Sequence, residues 1–245
     1  MEVYVDDMIV KSKTDRDHGH DLWKMFNILR AFSMKLNLKK CVFGVWSGKF
    51  LNFMISSYGI EANLDKIQAV LDMKPPQSVR EVQHLTGFIA TLGRLMSRSA
   101  DKCQPFFRVL WLLDNFSWDH QADEPFQALK TYLAQLSKIA SPLEGEVLVL
   151  YLAVLEHVVS AVLTVERTKE QIPMYYISHA LAGSEANYAL IEKFTYALVM
   201  ASQKLRPYFG AHKILVLTDQ TLKDVLQKLD ASGWLFVRPA FFVLS

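Results

Sequence analysis

Apolar and polar positions change period several times along the chain, and each change marks an element. At the start, Val3-Tyr4-Val5 and Met8-Ile9-Val10 read as two short strands with Asp6-Asp7 at the turn, where Asp is locally favoured. Leu22, Met25, Phe26, Leu29 and Phe32 then recur at helical spacing. Two short strands are expected next, around Cys41–Val45 and Lys49–Ile55, broken by Ser47-Gly48. This first stretch, residues 1–57, shows no clean core of its own. One helix and a few strands would leave sheet edges unpaired.

Over residues 58–115 the period is helical. Asn63 can cap a short helix carrying Ile67, Val70 and Leu71, and Pro75-Pro76 breaks the chain after it. Ser78-Val79-Arg80-Glu81 forms a capping box for a second helix, whose apolar stripe is Val82, Leu85, Ile89, Leu92 and Met96. A third stretch, residues 116–233, opens at Phe116-Ser117-Trp118 with a helix through Phe126, Leu129, Leu133 and Leu136. Pro142 to Gly145 turns the chain into Val147–Leu155, followed by Ser160–Val165 and Met174–Ile177, three strands in succession. A helix (Ile191, Leu198, Leu205), a strand (Ile214–Thr218) and a helix (Leu222, Val225, Leu226, Leu229) complete a β-β-β-α-β-α order. That order predicts a mixed sheet, and the fold class is α/β, or α+β over the whole chain.

Composition bears on compartment and partners more than on fold. The 245 residues are 51% hydrophobic, with few Gly and Pro and no low-complexity tract, which suits one large or two modest domains. The longest apolar run, Val147–Leu155, is too short to span a bilayer, and no signal-peptide pattern is visible. An intracellular protein, cytoplasmic or nuclear and with no membrane partner, is expected. Cys41 and Cys103 are isolated, so their spacing indicates neither a disulfide framework nor zinc. The net charge of +2 is uneven: residues 1–110 hold 16 Lys/Arg against 11 Asp/Glu, and residues 111–245 hold 11 against 14. A basic first half suits a phosphate-backbone partner.

Candidate chemistry starts in the carboxylate hairpin. Metal-assisted phosphoryl transfer uses two metal ions roughly 3.5–4 Å apart, and adjacent aspartates at a hairpin tip can project toward one such site. An Asp-Asp turn alone is common in any β-protein, and the blocks that follow decide the matter. YVDDMIVKS, then MKLNLKKCVFGVWSGKFLNFMISSYGIEAN, resembles the palm of reverse transcriptases from gypsy-class LTR retrotransposons, particularly of plant type. KIQAVLDMKPPQSVREVQHLTGFIATLGRLMSRSADKCQPFF resembles the thumb and connection of that family. FSWDHQADEPFQALKTYL, YYISHALAGSEANYALIEKFTYALVMASQKLRPYF and VLTDQTL resemble its RNase H-like domain. The resemblance covers residues 1–233 and leaves 234–245 as an unrelated tail.

Position by position, the resemblance implies that Asp6 and Asp7 are a metal-binding pair for Mg²⁺, with Tyr4 shaping the primer and nucleotide site. Phe50-Leu51-Asn52-Phe53 falls where the family has its primer-grip hairpin, with Asn52 where Gly is usual. Lys39 and Lys40 stand where a Pro-Glu pair is common. The resemblance also implies a third metal-binding aspartate and the fingers upstream of the hairpin, to come from an upstream polyprotein segment. Polymerase activity is therefore not expected of this chain alone.

In the RNase H-like part, Glu192 and Asp219 match two of the acidic positions that hold two metals for phosphodiester hydrolysis in the family. The first acidic position is Ala153, and the fourth would lie past the C-terminus. Glu156, three residues beyond Ala153, would point to the other face of a regular strand. Without partners, Glu192 reads as a solvated helix residue and Asp219 as a helix N-cap. A degenerate, structural domain is expected.

Three other constellations carry candidate chemistry. Arg94, Arg98 and Lys102 recur at i, i+4 and suit either a tracked phosphate backbone or a solvated helix face. In Asp17-His18-Gly19-His20-Asp21 the histidines lack the i, i+4 spacing of paired metal ligands, so helix capping is expected. Trp118 and Tyr175-Tyr176 read as core more than as base-stacking platforms. The expected function is a piece of an RNA-directed DNA polymerase and ribonuclease H polyprotein, acting in the family on RNA–DNA or DNA duplex with Mg²⁺ and inactive here. The alternatives are a non-catalytic duplex-binding module and the translation product of a decayed element without function.

Overall fold

The computed structural model describes residues 2–4, 7–12, 14–51, 53–56, 59–111, 116–136, 138–218, 222 and 242–244. Contacts divide the chain into two units, Met1–Asn63 and Leu64–Ser245.

In the first unit, β1 (Glu2–Tyr4) and β2 (Asp7–Ile9) pair antiparallel. They are followed by α1 (Asp15–Ala31). The Thr14 hydroxyl oxygen accepts the Asp17 N–H at 3.3 Å, and Asp15 and Asp17 lie in the first turn where the helix dipole favours them. His18 and Asp21 are held by Ser12, whose hydroxyl donates to Asp21 Oδ2 at 2.7 Å and sits 3.1 Å from His18 Nδ1. The acidic-histidine segment therefore serves the helix start. A three-stranded antiparallel meander completes the unit: β3 (Ser47–Phe50), β4 (Phe53–Ser56) and β5 (Gly59–Ala62).

Two expectations are corrected here. Cys41–Val45 is not a strand, because Gly44 at φ +65° breaks the extended run. Gly59–Ala62, placed in a helical stretch by its sequence, is a strand that pairs with β4.

The second unit opens with α2 (Leu64–Leu71), α3 (Val79–Leu92), α4 (Ser99–Trp111) and α5 (His120–Ala134). Ser78 caps α3 by accepting the Glu81 N–H at 3.3 Å, and the Gln77 N–H donates to Glu81 Oε2 at 2.7 Å. Val82, Leu85, Ile89 and Leu92 are fully buried, but the helix stops at Leu92 and Met96 is buried from the turn after it. On α4, Cys103, Phe106 and Val109 face the core. Trp118 is half-buried and packs against the core: its ring stacks on Phe106 (centroids 6.0 Å apart), meets Phe126 edge-on at 5.6 Å, and its Nε1–H donates to Asp123 at 3.1 Å. Lys130 Nζ donates to the Leu71 and Met73 carbonyls at 2.8 and 2.5 Å, closing the end of α2 against α5.

The sheet follows: β6 (Leu148–Val154), β7 (Val158–Arg167), β8 (Glu170–Ala180), β9 (Ile214–Leu217) and β10 (Phe242–Leu244). Their order is β10-β9-β6-β7-β8, with β6, β7 and β8 antiparallel and β9 parallel to both β6 and β10. This is the mixed sheet expected. β10 lies in the tail set apart as unrelated, yet Phe242 registers against Ile214. Between β8 and β9 come a 3-10 turn (Gly183–Asn187), α6 (Leu190–Lys204) and α7 (Arg206–Ala211). α6 packs on β6 and β7 through Phe194, Ala197, Leu198 and Ala201. Of the helix expected over Leu222–Leu229, only Leu222 is described, and it is buried in this core.

The lead into β6 is tied to the end of β7. Arg167 donates to both carboxylate oxygens of Glu146 at 2.7 and 2.8 Å and to the Ser141 carbonyl at 2.8 Å. The Arg167 hydrogen bonds, with the Leu143 N–H, hold the Glu146 carboxyl down to about 2, against an ordinary 4.5. A depressed carboxyl stabilises the fold above its unfolded value and loses that contribution as pH falls toward the folded one. Glu146→Gln should therefore flatten the loss of thermal stability between about pH 5 and about pH 2.5. Parallel melting curves for wild type and variant over that window would show that the pair contributes nothing.

Candidate functional site

Two places carry the candidate chemistry. In the β1–β2 hairpin, Tyr4 registers against Asp7, so Asp7 lies in the second strand rather than in the turn expected for it. Asp7 opens β2 and is exposed. Asp6 and the Tyr4 side chain lie outside the described residues. The expected primer-grip segment is a hairpin: Phe50 and Phe53 form the last pair of the β3–β4 ladder, and Leu51 turns at φ +55°. Asn52 lies outside the described residues.

The second place is a shallow open depression of about 640 Å³ at the ends of β6 and β9. It is lined by Tyr151, Leu152, Ala153, Val154, Phe194, Leu217 and Thr218. Ala153 stands there at the first acidic position of the resemblance. Thr218 brings the chain to Asp219, which lies outside the described residues.

Glu192 does not join this lining. Its carboxylate accepts the Ala189 N–H at 2.8 Å in the first turn of α6, where it complements the dipole. The reason is angular. Successive residues of a helix are about 100° apart, so Glu192 lies about 200° from Phe194, on the side away from the buried stripe. Phe194 is the α6 residue that reaches the depression. Sequence reasoning passed over Phe194, although the stripe Ile191, Leu198, Leu205 already places it, one turn after Ile191, on the buried face. Glu156 is not on a strand at all: β6 ends at Val154, and Glu156 is exposed in the turn to β7. Its carbonyl accepts Lys193 Nζ at 2.8 Å.

The described lining therefore offers carbon and hydroxyl groups and no carboxylate, a donor set that does not fit Mg²⁺. Among the described residues, no group of three or more His, Cys, Asp or Glu side chains converges.

Beside the start of α6, Glu185 links β8 to the helix. It accepts the Tyr196 hydroxyl at 2.7 Å and lies 3.2 Å from His179 Nε2. The Tyr196 bond holds the Glu185 carboxyl below its usual range, while burial pushes the Tyr196 phenol up to about 12. Neither group is poised for proton transfer near neutrality.

The three spaced cations do not share a helix face. Arg94 sits in the turn after α3, its guanidinium 4.9 Å from the centre of the Tyr175 ring and donating to the Tyr208 hydroxyl at 3.1 Å. Arg98, at φ +52°, pairs with Asp101 at 2.7 Å. Lys102 donates to the Ser97 carbonyl at 2.6 Å and lies over the Tyr132 ring, with burial lowering its pKa. The i, i+4 spacing fails because the helix breaks at Gly93 and restarts at Ser99.

Residues 118–216 match the family model of the RNase H-like domain found in reverse transcriptase. The matched residues take in α5, β6, β7, β8, α6, α7 and most of β9. The Pol polyprotein of transposon opus from Drosophila melanogaster is 29% identical over 89% of this chain and 23% of its own length. That of transposon 297 from the same organism is 26% identical over 94% of this chain and 22% of its own. The chain spans less than a quarter of the length of these retrotransposon polyproteins. A solved foamy viral protease-reverse transcriptase, in complex with RNA/DNA hybrid, superposes with a TM-score of 0.80 at 19% identity, covering 99% of this chain and 35% of that one. The fold is thus shared with a reverse transcriptase. Among the described residues no helix is long and apolar enough to cross a membrane.

Proposed function

We propose that the chain is the palm-hairpin, thumb/connection and RNase H-like part of a gypsy-class, plant-type LTR retrotransposon polyprotein, working in the cytoplasm or nucleus. Its partner is an RNA–DNA or DNA duplex, which it binds without cutting either strand. One observation carries this reading: the depression where the acidic cluster belongs is lined by Ala153 and Phe194. Two-metal hydrolysis needs carboxylates to hold and neutralise both ions, and an alanine methyl with a phenyl ring supplies neither. At the other site Asp7, with Asp6 beside it in sequence, can hold Mg²⁺ for nucleotidyl transfer only with a third carboxylate from an upstream polyprotein segment.

The test is a labelled RNA–DNA hybrid incubated with the full 245-residue chain and Mg²⁺. Salt-dependent binding without RNA cleavage is the expected result. Magnesium-dependent cleavage, or primer extension that Asp7→Asn abolishes, would overturn the non-catalytic reading. Absence of any duplex binding would leave the decayed-element reading in its place.

A further inference from the structure

The first unit carries a charge pattern that neither candidate site uses. From Leu22 to Ile60 the chain holds six cations, Lys24, Arg30, Lys35, Lys39, Lys40 and Lys49, and no acidic residue. At the chain's own frequency of 25 acidic residues in 245, about four would fall in such a stretch. The loop between α1 and β3 displays the centre of this pattern. Met34 N–H donates to the Leu29 carbonyl at 2.9 Å, ending the helix. Asn37 then folds a tight turn, its side-chain oxygen accepting the Lys39 N–H at 3.2 Å and its carbonyl the Lys40 N–H at 2.9 Å. That turn presents Leu38, Lys39 and Lys40 to solvent, and Lys35 is exposed just before it. Phe43 packs on Phe26 of α1 at 6.2 Å and anchors the loop. Trp46, three residues later, is 83% exposed.

We propose that this loop binds single-stranded nucleic acid, Lys35, Lys39 and Lys40 neutralising phosphates while Trp46 stacks on an unpaired base. The chemistry selects the partner. A duplex offers phosphates but hides its base faces, whereas an indole left in water in the same loop as three exposed lysines matches the base-and-phosphate repeat of a single strand. A membrane surface is the poorer match, since interfacial binding uses a helix with one continuous apolar face and this loop is irregular, with lysines set among its apolar residues. Lys39 and Lys40 also stand where the resembling family commonly has Pro-Glu, so the site belongs to this chain's own residues.

The test is titration of a fluorescein-labelled oligothymidylate of about fifteen nucleotides with the full chain over a range of salt concentrations. Wild type should bind with log affinity falling linearly with log salt, and K35Q/K39Q/K40Q should reduce that slope by about two, at roughly 0.7 per phosphate. Trp46→Ala should weaken binding about tenfold or more with the slope kept, and Trp46→Tyr should restore most of it. All four positions are exposed, so melting by circular dichroism should be unchanged. An unchanged slope in the lysine variant, or unchanged affinity in Trp46→Ala, would overturn the proposal. So would phosphatidylserine vesicles binding the chain through these residues while the oligonucleotide does not. Loss of hybrid binding or gain of cleavage in the earlier assay leaves this measurement unaffected, because it reads a single strand and residues remote in sequence from Ala153 and Phe194.

Discussion

Phe126→Ala is expected to destabilise the larger unit by about 3–5 kcal/mol, the range found when a fully buried phenyl is replaced by a methyl and its neighbours cannot close the gap. Phe126 is fully buried on α5, it meets the Trp118 ring edge-on, and the Lys130 ammonium lies 4.8 Å from its own ring centre. Trp118 and Lys130 therefore lose a partner at once. Trp118 would keep its stack on Phe106 but lose its other wall, and Lys130 would still close α2 without a ring beneath it. Domains of this size are stable by roughly 5–15 kcal/mol, so the variant should melt much earlier, though it should still fold. Urea unfolding of wild type and variant, followed by circular dichroism, gives the difference directly. A loss below about 1 kcal/mol would mean that Phe126 does not sit in a close-packed core.

Arg94→Ala is the second large effect, and it separates the structural role of this residue from the one its spacing suggests. It should cost about 2 kcal/mol, from one hydrogen bond to Tyr208 and one partly desolvated cation–ring contact with Tyr175. Arg94→Lys should recover little of that loss, since an ammonium cannot lie flat on a ring and reach a phenol as a guanidinium does. The salt slope of nucleic-acid binding should stay unchanged in both variants. A slope reduced by about one, with stability untouched, would return Arg94 to the role of a phosphate contact.

These residues also show what sequence could and could not foresee. Periodicity was a good guide where one face is buried and the element is long: α3, α5, β6, β7 and β9 lie close to their apolar patterns. It failed where the pattern was interrupted. α4 falls in the stretch expected to be helical, but its bounds were not legible because Asp101, Lys102, Gln104 and Pro105 dilute its Cys103, Phe106, Val109 stripe. β5 is four residues long, starts with glycine, and exists because β4 offers it an edge, a long-range fact that no local pattern carries. The stripe drawn through Met96 ran past Gly93, and the same error strung Arg94, Arg98 and Lys102 along a helix that is not there. At the candidate site, the resemblance pointed to Ala153, which lines the depression at the end of β6. It also pointed to Glu192, while the helix period alone would have turned that residue away from the sheet and selected Phe194.

The turn between α3 and α4 has one more effect. The Arg94 carbonyl accepts the Tyr176 N–H at 2.9 Å, and the Ala140 N–H donates to the Pro173 carbonyl at 2.9 Å, both on the outer side of β8. Pro173 has no N–H to offer, so at that position the strand has nothing left to donate. The last strand of the sheet is thereby sealed by its own chain over much of its middle. Open strand edges recruit other strands, whether from a second copy or from a partly folded neighbour. A chain with this border closed should stay dispersed on that side, and recruitment of foreign strands would have to begin elsewhere.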